Sequence, residues 1–145
     1  MKMSTKGRYG ARIMLDLAVH AVNHPVSLKD IAKRQDIPEK YLWQLISKLM
    51  SAGYVKSHRG INGGYDLARK PHEITLKDII VTMEGPMSIV DCVEAAEMCR
   101  KSYNCVTRQI WSEISSKIYE TLESISLQDM LEKYKRHSDA LSYSI

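Results

Sequence analysis

SLKDIAKRQDIPEKYLWQLISKL, residues 27–49, has the pattern of two short amphipathic helices joined by a tight turn. Ser27 can cap the first of these helices, and Asp30 follows at the position that Glu or Gln takes in a capping box. The turn falls at Asp36-Ile37-Pro38, and a helix over roughly 39–52 follows it. Proline suits the first turn of that helix because its missing N–H has no helical partner there. The segment therefore predicts a helix-turn-helix.

The segments on either side extend this unit to a winged helix. Ser4 can cap a first helix over roughly 7–22, whose apolar residues fall on one face at a spacing of 3.6 residues. After Gly53 the pattern changes to two strands, over 54–57 and 65–68, joined by the loop HRGINGG. The glycines of that loop, Gly60, Gly63 and Gly64, can supply the positive φ angles of a tight hairpin. A β-hairpin that directly follows a helix-turn-helix is a wing.

The rest of the chain is predicted to be helical around a cysteine-containing segment. A fourth helix over 76–84, with Thr75 and Asp78 at its start, ends at Gly85-Pro86. A long helix runs over roughly 106–124. A final short helix begins after Ser126, and we expect the serine-rich tail after about Arg136 to be frayed.

The expected fold class is mainly α with a small β-hairpin, a winged helix-turn-helix plus a long C-terminal dimerisation helix. The expected division is a DNA-binding domain at 1–84, a cluster-binding cysteine segment at 85–105, and the dimerisation helix with its tail at 106–145. The long helix has an apolar seam wider than a lone surface helix needs, and this predicts a homodimer. Packing on the fourth helix is the alternative use of this seam, which comprises Trp111, Ile114, Ile118 and Leu122.

The composition of the 145-residue chain restricts its partners. Hydrophobic residues make up 44%, as in ordinary globular proteins. Because no run of about 18 apolar residues and no signal-peptide pattern occur, we expect a cytoplasmic protein without a membrane partner. Residues 1–84 carry 14 Lys/Arg against 8 Asp/Glu, whereas residues 85–145 carry 7 against 9. A basic first half suits a polyanion such as double-stranded DNA.

The outer face of the third helix offers candidate DNA-reading residues. Gln44 can pair with adenine through two hydrogen bonds. Lys40, Ser47 and Lys48 can contact bases or phosphates. Trp43 has no hydrogen-bond acceptor, so it would read DNA by shape or by contact with a thymine methyl group. A half-buried tryptophan on a solvated helix is the alternative.

The wing and the first helix offer further candidates. Arg59 lies at the hairpin tip, where insertion into a narrow minor groove is favourable, although an arginine on a loop can also simply face solvent. The N-terminal amides of the first helix could hold a phosphate. The candidates around that helix start are Ser4, Thr5, Lys6, Arg8 and Tyr9.

Cys92, Cys99 and Cys105, the three cysteines of the chain, lie in DCVEAAEMCRKSYNC, residues 91–105. In a reducing cytosol, thiols gathered in this way more often bind a metal or sense redox change than form a structural disulfide. Their C-x6-C-x5-C spacing exceeds the paired spacing typical of structural zinc. A larger iron–sulfur cluster tolerates it, because its thiolates bind different irons. A metal cluster, a thiol or zinc switch, and thiols without function all remain open.

The opening MKMSTKGRYGARIMLDLA, the helix pair over 27–49 and the wing VKSHRGINGGYDLA resemble the IscR/NsrR/CymR family of bacterial winged-helix repressors. The resemblance continues through LKDIIVTMEGP, the cysteine segment and the long helix, and so covers nearly the whole chain. It implies that Arg59 enters the minor groove and that residues 40–44, Tyr41 among them, approach base edges.

The same resemblance implies that Cys92, Cys99 and Cys105 bind an iron–sulfur cluster, 2Fe–2S rather than 4Fe–4S. Some relatives complete the cluster with His three residues after the last cysteine, where this chain has Arg108. Others use an acidic residue near the start of the first helix of the partner subunit, and this chain has Arg8 at that position. The candidates for a fourth ligand are Asp91, Glu94, Glu97, a histidine or a small external molecule.

A further departure concerns DNA specificity. Members of the family commonly carry Glu at the position of Trp43, where a carboxylate accepts a hydrogen bond from cytosine and repels phosphate. An indole does neither, so the preferred operator is expected to differ from that of relatives with Glu.

We therefore expect a homodimeric transcriptional regulator, a repressor rather than an enzyme, that senses cluster, redox or nitric oxide status and controls iron–sulfur cluster biogenesis genes. The alternative is a cluster-free sensor of thiols or cysteine metabolism with the same fold. An electron-transfer enzyme would need motifs that this sequence lacks, such as C-x-x-C or a nucleotide-binding glycine pattern. A winged helix used only for protein contacts would show no steep salt-dependent DNA binding.

Overall fold

A computed structural model describes residues 2–144, which form seven α-helices, a two-stranded antiparallel sheet and three 3₁₀ turns. In chain order these are α1 Thr5–His20, α2 Leu28–Gln35, α3 Glu39–Ser51, β1 Val55–His58, β2 Gly64–Leu67, α4 Leu76–Glu84, α5 Asp91–Glu94, α6 Val106–Glu123 and α7 Leu127–Tyr143. The predicted mainly α fold with a winged helix-turn-helix is confirmed. No helix within this described part is long and apolar enough to span a membrane.

Short polar side chains begin the helices at the predicted positions. The Ser4 hydroxyl accepts a hydrogen bond from the backbone N–H of Lys6, and the Ser27 hydroxyl accepts one from Asp30. Thr75 and Ser126 each begin a complete capping box. Each such cap contributes about 1 kcal/mol to helix stability.

The core lies where α1, α2 and α3 meet. α3 contributes one buried stripe, spaced three and four residues apart, and the facing residues come from α1 and α2. Burial of each such side chain stabilises the fold by roughly 1.5–3 kcal/mol. The fully or almost fully buried residues at this junction are Ile13, Met14, Leu17, Ile31, Leu42, Leu45, Ile46 and Leu49.

The wing is fastened to the start of α2. β1 and β2 pair antiparallel, with Val55 opposite Leu67, and each strand lies within one residue of its predicted range. Tyr65 in β2 exchanges two backbone hydrogen bonds with Val26, at N···O distances of 2.7 and 2.9 Å. The base of the hairpin is therefore fixed relative to the helix-turn-helix.

The loop glycines have two different roles. Gly60 and Gly64 have positive φ angles of 106° and 153°, as predicted. Gly63 does not, which corrects the prediction for that residue. A Cβ atom at Gly63 would lie 2.2 Å from the carbonyl oxygen of His58, so the requirement there is space.

Two expectations about helix ends are wrong. α1 ends at His20 and not at the predicted residue 22, and Val22 is largely exposed beyond that end. α7 is not short but has 17 residues, so the tail after Arg136 is helical as far as Tyr143.

α7 packs into the same core as the winged helix. Its residues Leu127 and Leu131 are buried beside residues of α1. The backbone N–H of Leu127 donates to the Ile74 carbonyl at 2.8 Å, which joins the start of α7 to the segment before α4. The expected segment 106–145 therefore includes α7, a helix that packs with the helices of residues 1–84.

A buried carboxylate fixes α2 against α1. Asp16 in α1 is 3% exposed, and Arg34 donates to both of its oxygens, at 3.0 and 2.8 Å. Gln35 donates a third hydrogen bond at 2.7 Å, and its own side-chain oxygen accepts from Arg12. The hydrogen bond with Asp16 raises the pKa of Arg34 above its already high ordinary value, so the guanidinium stays charged at any ordinary pH.

We predict unequal effects from removing the two partners of this ion pair. Arg34→Ala leaves the Asp16 carboxylate buried with one donor and should cost about 3–5 kcal/mol of unfolding free energy. Asp16→Ala should cost less, about 1–3 kcal/mol, because the Arg34 side chain is 33% exposed and can reach water. Urea denaturation measures both values.

The double variant Asp16→Ala/Arg34→Ala should resemble Asp16→Ala alone, because no buried charge is left. As a control, Lys117→Ala removes a surface ion pair with Glu120 and should change stability by less than about 0.5 kcal/mol. A larger loss for Asp16→Ala than for Arg34→Ala would contradict this account.

Candidate nucleic-acid interface and cysteine segment

α3 presents a polar outer face opposite its buried stripe. Lys40, Gln44 and Lys48 are exposed, and Trp43 between them is 54% exposed. Tyr41 and Ser47 are half-buried at the edges of this face. The side chains that we predicted from the sequence to contact DNA bases therefore lie together on one accessible surface.

One of these side chains, Ser47, already forms a hydrogen bond within α3. The Ser47 hydroxyl donates to the backbone carbonyl of Trp43 at 2.7 Å, and Ser51 does the same to Ser47 at 3.0 Å. Because a serine proton used in this way is not available to a base, Ser47 can only accept. Gln44 and the lysines keep their polar groups exposed.

Two tyrosines join the start of α1 to the start of α3. The rings of Tyr9 and Tyr41 pack edge to face, with centroids 6.1 Å apart, and the Tyr41 hydroxyl lies 3.5 Å from the Thr5 hydroxyl. The Arg12 guanidinium lies over the Tyr9 ring, 5.3 Å from its centroid. These contacts hold the first turns of α1 beside α3. The side chains of Lys6 and Arg8 lie in these turns and are exposed.

The first turn of α1 already binds a carboxylate. Glu84, the last residue of α4, accepts hydrogen bonds from the Ser4 hydroxyl, from the Ser4 backbone N–H at 2.9 Å and from the Gly7 N–H at 3.0 Å. Hydrogen bonds from the Ser4 hydroxyl and from the Gly7 and Ser4 amides lower the pKa of Glu84. A DNA phosphate could use these amides only by displacing Glu84, so Lys6 and Arg8 are the more direct candidates there.

The close approach of α4 to α1 depends on glycine. A Cβ atom at Gly7 would lie 2.7 Å from a carboxylate oxygen of Glu84, and one at Gly10 would lie 2.5 Å from Cγ of Met83. No sequence pattern connects Gly7 with Glu84, because the two residues lie 77 positions apart in the chain. The sequence does contain one indication of a close helix contact, namely two glycines three residues apart inside a predicted helix. Glycine lowers helix stability, so its presence there indicates a packing requirement.

The wing tip is a separate part of the surface. Arg59 is exposed, and no carboxylate of residues 2–144 lies within 4.0 Å of its guanidinium. Its neighbours Lys56 and His58 lie 4.0 and 3.8 Å from Asp66 on the facing strand. Arg59 is therefore the cation of the wing that is fully available to a phosphate or a groove.

The three thiols lie in a segment with little regular structure. Cys99 is exposed, Cys92 and Cys105 are half-buried, and none forms a disulfide. Arg108 in the first turn of α6 donates to the Cys92 carbonyl at 2.7 Å. This bond ties the Cys92 loop to the helix that begins directly after Cys105.

Cys105 is the thiol best prepared to act as a thiolate. Its sulfur lies 3.2 Å from the Thr107 hydroxyl, at the N-terminus of α6. Hydrogen bonds from Thr107 and from the backbone N–H of Arg108 lower the pKa of the Cys105 thiol. A thiolate is the form that binds soft metals.

The three thiols are chemically suitable ligands for an iron–sulfur cluster, but they do not form a compact metal-binding group in this structure. Among residues 2–144 no three His, Cys, Asp or Glu side chains are grouped closely enough to hold a metal ion. Cluster binding would therefore require the cysteine segment to close. The Ser102 hydroxyl, between Cys99 and Cys105 in sequence, is buried and has no hydrogen-bond partner in the described chain, so a donor is available there.

α6 leaves much of its apolar seam uncovered. Trp111 and Ile114 are exposed, together with Val106 and Ile110 in the same helix. Ile118, farther along, is half-buried. The later part of the seam is therefore partly covered within the chain, whereas the earlier part is available to a partner.

Taken together, the helix pair α2–α3, the fastened wing and the exposed face of α3 define a winged helix-turn-helix protein. The model of the Rrf2 family, described as iron-dependent transcriptional regulator, matches residues 3–133. The chain belongs to the Rrf2 family of transcriptional regulators, and the predicted resemblance is confirmed.

Similar proteins include regulators with different names. Protein rrf2 of Nitratidesulfovibrio vulgaris is 42% identical over 131 residues, which are 90% of this chain and 87% of that protein. The solved structure of CymR, the global cysteine regulator of B. subtilis, is 42% identical with a TM-score of 0.77, covering 92% of this chain and 98% of that one. The structure of T. potens IscR is 45% identical with a TM-score of 0.76, covering 92% and 88%.

We predict an acid-dependent stability contribution from Glu84. Because its pKa is lower in the folded protein, the carboxylate stabilises the fold fully above its unfolded pKa, about 4.3, and this contribution is lost as the pH falls through the folded pKa. Glu84→Gln should therefore cost roughly 1 kcal/mol at pH 7, and the difference from the unchanged protein should shrink below about pH 4. Denaturation at a series of pH values measures it.

As a control, Glu120→Gln removes a carboxylate of a surface ion pair and should show no comparable pH-dependent loss. If the Glu84→Gln difference is constant from pH 7 to pH 3, Glu84 does not act through its charge.

Proposed function

We propose that this protein is a homodimeric, DNA-binding repressor whose affinity for its operator depends on an iron–sulfur cluster bound by Cys92, Cys99 and Cys105. The observation that carries the proposal is the presence, in one chain of the Rrf2 family, of an exposed polar face on α3 and three free cysteines in one short segment. The genes that it controls are proposed to be those of iron–sulfur cluster assembly.

α3 would enter the major groove, with Lys40, Tyr41, Trp43, Gln44 and Lys48 toward the bases and phosphates. Arg59 at the wing tip would reach the adjacent minor groove, and α1 would contribute Lys6, Arg8 and Tyr9, with Ser4 at its start. The support is that these side chains, apart from half-buried Tyr9 and Tyr41, are exposed, and that the Tyr9–Tyr41 contact holds α1 beside α3. Neutralising several phosphates makes such binding steeply dependent on salt.

A second copy of the chain would cover the open part of α6. Four large apolar side chains of that helix are exposed, and burying them between two twofold-related helices removes them from water. A twofold dimer also places two copies of α3 one DNA turn apart, on a pseudo-palindromic operator.

The cluster would be held by the three thiolates, and when bound it would supply a centre whose stability depends on iron, oxygen or nitric oxide. Arg108 would keep the Cys92 loop beside the start of α6 by its hydrogen bond to the Cys92 carbonyl. The Ser102 hydroxyl would donate a hydrogen bond to sulfur once the segment closes, which is a recognised way to tune such a centre. The fourth ligand of the cluster would come from Asp91, Glu94, Glu97, a histidine or an external molecule.

A line of contacts connects this segment to the DNA-facing helices. The linker after α4 is attached to α6, since the backbone N–H groups of Met87 and Ile89 donate to the hydroxyls of Tyr119 and Ser115. The last residue of α4, Glu84, is bonded to the first turn of α1. Closure of the cysteine segment would therefore act on the start of α1 and shift the population of the DNA-binding form.

A second candidate function is a cluster-free sensor of thiols or of cysteine metabolism. It is favoured by the likeness to CymR, described as a global cysteine regulator, at 42% identity and a TM-score of 0.77. The exposure of Cys99 and the lowered pKa of the Cys105 thiol suit reversible oxidation equally well.

We predict that Ile114→Glu splits the dimer, because it places a charge in the proposed α6 interface. DNA affinity should then fall by about a hundredfold or more, since one subunit reads only one half-site. Sedimentation velocity measures the mass, and fluorescence anisotropy at several salt concentrations measures the affinity. Lys117→Ala, an exposed change on the same helix, should alter neither. A dimeric Ile114→Glu variant, or an unchanged protein without salt-dependent DNA binding, would contradict the proposal.

We also predict that protein purified without oxygen contains iron and sulfide with visible absorption bands, and that Cys92→Ala abolishes both. Operator affinity should differ at least about fivefold between the cluster-bound and cluster-free forms. Met98→Ala, an exposed change between two of the cysteines, is the matched control and should retain the cluster.

If the protein stays colourless after reconstitution with iron and sulfide, the cluster-free sensor takes precedence. That function predicts that DNA affinity responds to mild oxidants in the unchanged protein and not after replacement of all three cysteines.

A further inference from the structure

Trp43 is the large apolar side chain on an otherwise polar face of α3. It is 54% exposed, and among residues 2–144 no aromatic ring and no cation stacks on its indole. Its core-facing neighbours Leu42 and Leu45 are almost fully buried, so the position of the backbone is fixed while the indole projects outward. An exposed aromatic ring at a DNA-reading position gains free energy by contact with an apolar group of the DNA.

The surroundings of Trp43 limit what it can recognise. The hydroxyl of Ser47, one turn farther along α3, donates a hydrogen bond to the backbone carbonyl of Trp43. The indole has one N–H donor and no acceptor, so it cannot accept a hydrogen bond from cytosine or adenine. In the major groove of B-DNA the one apolar group that distinguishes a base pair is the 5-methyl group of thymine.

We propose that Trp43 selects a thymine in each operator half-site by packing its indole against the 5-methyl group. Gln44, the next residue and exposed on the same face, would read an adenine close to this thymine. This inference rests on the proposed insertion of α3 into the major groove and specifies which base one residue of that helix reads.

The test begins with selection of binding sequences from randomised DNA duplexes by the full-length protein, in cluster-reconstituted and cluster-free forms. Each thymine of the selected operator is then replaced by deoxyuridine, which removes the methyl group and keeps the base pair. At one thymine per half-site we expect affinity to fall about fourfold, because the free energy of burying one methyl group is lost. Replacement in both half-sites should give about fifteenfold.

The variant Trp43→Ala identifies the side chain responsible. It should bind the thymine and uracil operators equally, so that the methyl effect disappears in a double-mutant cycle. Lys48→Ala is the matched control on the same face: it should bind both operators more weakly and retain the ratio between them. Because Trp43 is largely exposed, thermal denaturation should show little change for Trp43→Ala.

A second substitution separates the methyl group from the base. At the position where uracil weakens binding, 5-methylcytosine paired with guanine should bind more tightly than unmodified cytosine paired with guanine. An equal affinity for these two duplexes would contradict recognition of the methyl group.

The remaining outcomes decide between failure of this inference and failure of the proposed function. If an operator is selected but uracil replaces every thymine without loss, or if the uracil effect persists in Trp43→Ala, Trp43 does not read thymine, although DNA binding stands. A purine at the Trp43-dependent position would mean that the indole N–H donates to a base acceptor, and this also overturns the inference. If no sequence is selected and binding to random duplexes shows no salt dependence, the DNA-binding proposal itself fails.

Discussion

The buried carboxylate of Asp16 is the constraint on which the arrangement of the helix-turn-helix depends. A charged group removed from water must be matched by donors in a fixed geometry, and Arg34 and Gln35 supply them from the end of α2. Apolar contacts between α1 and α2 allow several orientations of similar free energy, whereas this ion pair allows one. Since Asp36 begins the turn directly after Gln35, the orientation of α2 also sets where α3 begins.

A second carboxylate fixes the opposite end of α1. Glu84 joins the last residue of α4 to the first turn of α1, and the two helix glycines allow the approach. α1 is thereby attached to α2 at one end and to α4 at the other. Its first turn also contacts α3 through Tyr9 and Tyr41. In this way α1 connects the proposed DNA-binding surface to the α4–α6 region, and the proposed signal from the cysteine segment would have to move this helix.

The cysteine segment differs physically from the winged helix. Between α5 and α6 it has only short 3₁₀ turns, exposed apolar side chains at Met98 and Tyr103, and few hydrogen bonds to the rest of the chain. Regions with little apolar burial open at low free-energy cost, which suits a ligand-dependent rearrangement. The tight core around α1 and the loose segment before α6 are therefore suited to the two parts of the proposed function, the first to holding the proposed DNA-binding surface in place and the second to changing it.

Elements that depend on local chemistry were predictable from the amino-acid sequence. Their signals lie within a few residues of one another: the caps at Ser4, Ser27, Thr75 and Ser126, the apolar stripe of α3, the hairpin glycines and the cysteine spacing. These signals sufficed for the fold class and the family. Contacts between distant residues were not predictable and are seen in the folded chain: Asp16 with Arg34, Glu84 with the first turn of α1, and α7 with the core. The length of α7 was missed because its second half has few buried residues and thus no apolar periodicity to detect. The physical reason is that an amphipathic pattern states which face is buried, but the partner of that face depends on how the whole chain packs.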